Sequence, residues 1–348
     1  MRGKAFMIFI KIPKTGNIKK VLDYRYMLLF FEKRKNFFLN KKEELKDIKI
    51  DLVRNFRGKF RNMTLKYTLF TDFGEKIIRA RTHKFQDSPR RDGNVLKFLN
   101  KNRLGDNIPL FIYYYQPLNI LFYLETPGIS SETLLSQKKI KPLLKIISLA
   151  AIFLKKIHHL KKGLSFLPIK DIKQEKKERR HWFFLVRKCA PEIYSEFYLL
   201  LKELWDLRKK HEEFFLTPSN FSLVHSDFHW GNIVCHQDNF FFIDFCYAFR
   251  GDPLEDVGGF LAQNDSMFRY YAPYSSDGIK IRKKFLRSYF GGHINKNQQY
   301  RLLYFEAQKI LEMAAVLSFV ETNEEYKKRG MATLLSEARK KILELKSK

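Results

Sequence analysis

Residues 224–234, VHSDFHWGNIV, constrain this chain more than any other stretch. They place an acid, Asp227, five residues ahead of an amide, Asn232, across a short loop. A second acid, Asp244, follows twelve residues after Asn232, behind the apolar and aromatic residues 240–243. The intervening residues 233–242 read as strand, turn and strand, with Asp238 and Asn239 as the turn. Two acids and an amide in this order suit phosphoryl transfer from Mg-ATP, where the protein positions groups and stabilises charge. Asp227 is then the base directed at an acceptor hydroxyl. Asn232 and Asp244 supply hard oxygens of the kind Mg2+ prefers. His225 is expected to stay inside and brace the loop by hydrogen bonds.

HSDFHWGN resembles the H-G-D-L-H-x-G-N signature of the aminoglycoside phosphotransferase and choline kinase superfamily. IDFCYAFRGDPLEDVG resembles that family's I-D-W/F-x-x-A-x-x-G-D-P-x-x-D-L-A, carried here by Asp244, Ala248, Gly251, Asp252, Pro253 and Asp256. Protein kinases of the H-R-D, D-F-G and A-P-E type are not indicated, since the chain has none of the three blocks. The resemblance implies ATP as donor, with GTP as the alternative nucleotide. Upstream, residues 121–128 followed by Thr133-Leu134-Leu135 resemble the family's hinge. The adenine would then be held by main-chain groups near Glu125, Thr126 and Pro127. Residues 150–160 resemble the helix ending in L-H-x-L, where His158 is expected to pack and hydrogen-bond. Asp252 and Asp256 are expected to fix the loop after Asp244.

The same resemblance requires a strand cation at the phosphates, paired to a helix acid. Lys76 to Arg81 is the candidate strand, and Ile77 and Arg79 fall on one face because side chains alternate. Ile77 would cover the adenine and Arg79 would reach the phosphates with Asp92 behind it, an Arg-Asp pair where the family has Lys-Glu. Arg81 and Lys84 are the alternatives. Residues 57–62 stand where a phosphate loop belongs but carry one glycine, and Gly74 reads as a hairpin turn.

The chain's 348 residues, 45% hydrophobic, can build a sizeable core. Short alternating runs dominate early, and residues 26–31 look strand-like, as do 5–11. From about residue 139 the apolar spacing turns helical, over 140–160, 176–205 and 300–317. The expectation is an α+β, two-lobed protein-kinase-like fold, with a small, mainly antiparallel β N-lobe and a larger helical C-lobe. Residues 1–50 form a basic N-terminal extension packed on or leading into the N-lobe, 51–126 the N-lobe and 127–348 the C-lobe.

The net charge is +29, and residues 1–60 hold 17 Lys or Arg against 6 Asp or Glu. Such a surface suits an anionic acceptor, and peripheral contact with an acidic membrane surface or nucleic acid through the N-terminal region. It argues against a polycationic acceptor unless the pocket is locally acidic; Glu306, Glu312 and Glu321 are the candidate acids, with solvated helix faces as their default reading. Residues 170–188 read as a charged helix face. No stretch approaches ~20 uninterrupted apolar residues, and Cys189, Cys235 and Cys246 lack metal spacing. A cytoplasmic enzyme acting on a small-molecule hydroxyl (sugar, amino alcohol or envelope-sugar type) is expected. The rival is a nucleotide-binding pseudokinase or basic adaptor for an anionic partner.

Overall fold

In the computed structural model the residues described are 18–55, 62–83, 86–272, 275–320 and 323–348. The run 5–11, Lys84, Glu321 and residues 57–61 of the single-glycine loop therefore lie outside the described residues. The chain divides into two compact units, each described here by itself. One runs to Gly128 and also takes in Phe241–Ala248; the other comprises Ile129–Phe240 and Phe249–Lys348. The segment Phe241–Ala248, which carries Asp244, groups with the N-terminal unit.

The N-terminal unit opens with helices. Asp23 caps α1 (Tyr24–Glu32) by accepting the Tyr26 N–H at 2.8 Å, and α2 (Lys35–Phe38) follows. Residues 26–31, read as a strand from their aromatic content, are therefore helical. Met27, Phe30 and Phe31 are buried at helical spacing. They pack with Phe38 onto Tyr67 and Phe122 of the sheet, so residues 18–39 belong to the core. Burying each such ring contributes about 1.5–3 kcal/mol. The Tyr67 hydroxyl donates to the Val21 carbonyl at 2.7 Å and ties this segment to the sheet.

The sheet comprises β1 (Leu45–Asn55), β2 (Asn62–Thr71), β3 (Gly74–His83), β4 (Phe111–Tyr115) and β5 (Ile120–Leu124), with α3 (Ser88–Lys101) between β3 and β4. Its five strands run antiparallel in the order β1-β2-β3-β5-β4. Alternation sets its faces. Ile78, Ala80 and Thr82 of β3 are buried, which turns Ile77, Arg79 and Arg81 together to the other face. Gly74 takes φ +115° at the β2–β3 hairpin.

The C-terminal unit is mainly helical. After β6 (Ile129–Ser130) come α4 (Ser131–Ser136), α5 (Ile140–His158), α6 (Ile172–Cys189) and α7 (Tyr194–Lys210). The periodic run 176–205 is two helices, α6 ending before Ala190 and Pro191. Short strands β7 (Ser222–Val224), β8 (Ile233–His236), β9 (Asn239–Phe242) and β10 (Phe249–Gly251) frame the loops of interest, in sheets ordered β6-β8-β9 and β10-β7. Then follow α8 (Leu254–Tyr271), α9 (Asp277–Phe290), α10 (Lys296–Phe319) and α11 (Glu324–Lys346). Gly258 brings α8 against α10: a Cβ there would lie 2.9 Å from the Glu306 backbone nitrogen.

Two charged features differ from expectation. Glu306 is buried and paired with Arg282 and Lys341, not solvated. On α6, Glu175 and Arg179 are buried and bonded to Arg208 and Tyr304, so that helix turns charges inward as well as outward. Among the described residues no helix is long and apolar enough to cross a membrane.

Candidate active site

The loop after β7 is held from below by one carboxylate. Asp256, 2% exposed near the start of α8, accepts the His225 N–H through Oδ2 and the Ser226 N–H through Oδ1, both at 2.7 Å. His158 of α5 sits 3.0 Å from Asp256 Oδ2, and its other ring nitrogen is 2.7 Å from the Tyr289 hydroxyl. Asp256 was expected to fix the loop after Asp244; it grips the loop before Asp227 instead. Asp252 does brace its own segment, accepting from the Leu254 N–H at 3.0 Å and from Arg301 at 2.7 Å. The grip on Ser226 matters because that residue takes φ +73°, a conformation disfavoured for side chains with a Cβ. The family signature has glycine at this position.

Within the loop, His225 is wholly buried and its Nδ1 accepts the Asp227 N–H at 3.4 Å. Asn232, 8% exposed, donates its Nδ2 to the Asp227 carbonyl at 2.8 Å and to Asp227 Oδ2 at 3.3 Å. The amide nitrogen is thereby committed, and the harder amide oxygen is left to serve as acceptor or ligand. His229 lies 3.6 Å from Asp227 Oδ2 through Nε2, while its Nδ1 accepts the Gly231 N–H at 3.0 Å and caps the turn at Trp230–Asn232. Burial works to raise the Asp227 pKa. His229, Lys309 of α10 and His225 outweigh it and hold the carboxyl well below the ordinary range. Asp227 is therefore ionised at neutral pH.

In the N-terminal unit the cations sort differently from expectation. Arg79 binds Glu125, with Nε 2.8 Å from Oε1, and does not meet Asp92. The reason is register. Arg79 stands opposite Tyr123 on β5, two residues before Glu125 and on its face, whereas Arg81 stands opposite Leu121. Arg81 pairs with Asp244. Asp92, 4% exposed on α3, accepts the Phe245 N–H at 3.2 Å, and Arg81 is the cation that acts on it. Burial first, and the Asp244 charge second, push the Asp92 pKa up to about 7. Asp244 adopts φ +66°, like Ser226 a non-glycine residue in the left-handed region. Ile77 is half-buried on the same face as both arginines, Thr126 is half-buried and Pro127 exposed.

Sequence reasoning did not single out His229 or Lys309 as neighbours of Asp227. His229 carries a local signal, two residues past the acid. Lys309 carries none, because helix packing alone brings it there.

An acid–amide pair on a buried loop, a second acid beyond a hairpin, and an antiparallel sheet followed by helices define a phosphotransferase of the protein-kinase-like, α+β fold. Residues 70–292 match the APH phosphotransferase enzyme family, and the chain belongs to that family. It is an enzyme of the kinase class with an alcohol group as acceptor. Similar solved structures include choline kinase from Cryptosporidium parvum Iowa II, with 14% identity, TM-score 0.59 and coverage of 86% of this chain and 90% of that one. The amicoumacin kinase hAmiN, in complex with AMP-PNP, Ca2+ and its ligand, has 13% identity and TM-score 0.58 over 84% and 88%. The streptomycin–ATP complex of APH(2")-IIa has 16% identity and TM-score 0.54 over 84% and 92%. No curated protein matches the chain by sequence.

Proposed function

We propose that this enzyme transfers the γ-phosphate of ATP to a hydroxyl of a small molecule. The observation that carries the reading is the Asp227–Asn232 pair, bonded at 2.8 and 3.3 Å within a loop whose backbone Asp256 holds. The acceptor oxygen bonds to the γ-phosphorus, the bond from that phosphorus to the β–γ bridging oxygen breaks, and ADP leaves. The hydroxyl proton passes to Asp227. A carboxylate held this far below its ordinary pKa is a weak base. Its work is to orient the hydroxyl and accept the proton late, which suits a loose transition state that asks little of the nucleophile.

Asn232 and Asp244 are the proposed Mg2+ ligands, and their oxygen donors fit that ion, which takes one or two protein ligands together with phosphate oxygens. Bound there, the metal supplies charge neutralisation on the phosphates. Arg81, backed by Asp92, takes the role first given to Arg79. Arg79 with Glu125 instead braces the end of β5 beside the proposed adenine-binding backbone at Glu125, Thr126 and Pro127. GTP is the alternative donor.

Asp227→Asn tests this reading through ADP release with a turned-over acceptor. Loss of general-base action predicts a fall in kcat of about 10²–10⁴, with Mg-ATP affinity kept within a few-fold. Full activity in that variant would remove Asp227 from the reaction.

A further inference from the structure

We infer that the outer face of the α6–α7 hairpin docks the enzyme on an anionic membrane surface. The phosphotransferase reading is not needed for this, because no residue of that face belongs to the site described above. The two helices are joined through the turn at Pro191–Ile193, and three contacts set their register. Arg187 lies over the Tyr194 ring at 6.0 Å, Phe183 meets Tyr198 at 5.4 Å, and Lys176 lies over Trp205 at 5.7 Å. Each step back along α6 is matched by an equal step forward along α7, so the helices run antiparallel about an aromatic seam.

The residue after a seam residue is turned about 100° around its helix, and in an antiparallel pair both turns lead to the same side. Phe184 and Leu199 follow Phe183 and Tyr198 in this way, and they stand 53% and 62% exposed. Helical spacing brings cations to the same side. On α6, Lys173, Lys177, Arg180 and Arg187 flank Phe184; on α7, Lys202, Lys209 and Lys210 follow Leu199; all are exposed. None of these cations is ion-paired among the described residues. Carboxylates are few. Asp206 shares the face and Glu192 sits in the connecting turn, while Glu196 and Glu203 are drawn away to Arg339 and Lys346 of α11.

Three features select a lipid surface. First, the cations of α6 extend from Lys173 to Arg187 over about 21 Å at a rise of ~1.5 Å per residue, so they match a field of phosphates and not a single bound anion. Second, two bulky apolar side chains project from within that field. A polynucleotide backbone gives an exposed leucine no apolar medium, whereas the boundary between headgroups and acyl chains does. Third, Tyr198 and Trp205 line the seam beside them, and rings with a polar edge favour that same boundary. The lysine and arginine stems lie along apolar surface while their charged heads reach the phosphates.

The test uses the full-length enzyme and vesicles of phosphatidylcholine alone or mixed equally with phosphatidylglycerol. Flotation measures binding, and quenching of tryptophan emission by brominated acyl chains reports insertion. The wild type should float with the mixed vesicles only, dissociate as salt rises, and be quenched by the brominated chains. Each neutralised cation lowers partitioning about fivefold, so the triple variant Lys177→Gln, Arg180→Gln, Lys202→Gln should bind about 100-fold more weakly. Phe184→Ser with Leu199→Ser should weaken binding about tenfold or more. Lys19→Gln, Lys20→Gln, Lys33→Gln in the N-terminal unit should leave it unchanged. The substituted positions are exposed, so every variant should keep the wild-type Tm. No binding to the mixed vesicles, binding indifferent to either α6–α7 variant, or loss confined to the N-terminal variant overturns the inference. So does flotation without quenching together with equally tight binding of a single-stranded oligonucleotide, which would make the face a site for polyanions in solution.

Discussion

Asp256→Asn isolates the support beneath Asp227 from the chemistry itself. The wild-type carboxylate accepts two backbone N–H groups at 2.7 Å and lies 3.0 Å from His158 Nε2, all buried. Hydrogen bonds to a charged group contribute about 1.5–3 kcal/mol each. The asparagine Oδ1 still accepts from one backbone N–H, but its amide nitrogen confronts the other donor. One charge-assisted bond is lost and the second weakened, so the expected destabilisation is about 2–3 kcal/mol. For a unit of this size, 1 kcal/mol moves Tm by ~2–4 °C, so thermal unfolding should shift downward by about 5–10 °C. Ser226 is also released from its grip at φ +73°, so kcat should fall about tenfold or more while Mg-ATP affinity holds. Ser226→Gly in the Asp256→Asn background should recover about 1 kcal/mol, because glycine adopts that φ without the penalty that a Cβ brings. A Tm within ~1 °C of wild type together with kcat within about twofold would refute the argument that this carboxylate positions the loop.

Two further outcomes are expected. Mg-ATP at a hundredfold excess over Kd should stabilise the wild type by about 2.7 kcal/mol; Arg81→Met should abolish most of that rise and Arg79→Met should leave it largely intact. The reverse pattern would return the phosphate-side role to Arg79. The second outcome concerns acid. Burial first, and the Arg81 charge second, push the His83 pKa down to about 4, and its Nδ1 accepts the Gln86 N–H at 2.9 Å. The unfolded chain binds a proton near pH 6.5 that the folded one refuses, so stability is lost progressively as pH falls from about 6.5 toward 4. Urea unfolding should show the wild type losing more stability over that window than His83→Asn, whose side-chain oxygen accepts the same N–H without titrating. Parallel pH curves for the two proteins would rule His83 out.

Which parts of this site could be read from the chain alone follows from the range of the contacts involved. Asp227, His225, His229 and Asn232 meet one another within a single loop, at separations of two to five residues, so their order in the chain nearly dictates their geometry. The face shared by Ile77, Arg79 and Arg81 is similarly local, a consequence of strand alternation. Alternation cannot choose between the two arginines, however. That choice is made by the β3–β5 register, which sets Arg79 toward Glu125 and leaves Arg81 to Asp244 and Asp92. The aromatic run at residues 26–31 misled for a related reason: a short apolar stretch satisfies strand and helix alike until its burial at Met27, Phe30 and Phe31 is known.

Helix packing accounts for what was least legible. Gly258 lets α8 meet the backbone of α10, and every consequence of that approach is non-local. It buries Glu306 between Arg282 and Lys341, lines a cavity beside Ser226 with Gln308, Lys309 and Glu312, and brings the Lys309 charge to bear on Asp227. The residues proposed to react are thus specified by a compact motif, whereas the cavity beside them is lined by how two distant helices touch. Motif and packing can vary independently, so a chain can belong plainly to a family of phosphotransferases while the walls of that cavity are set by a helix face that no motif contains.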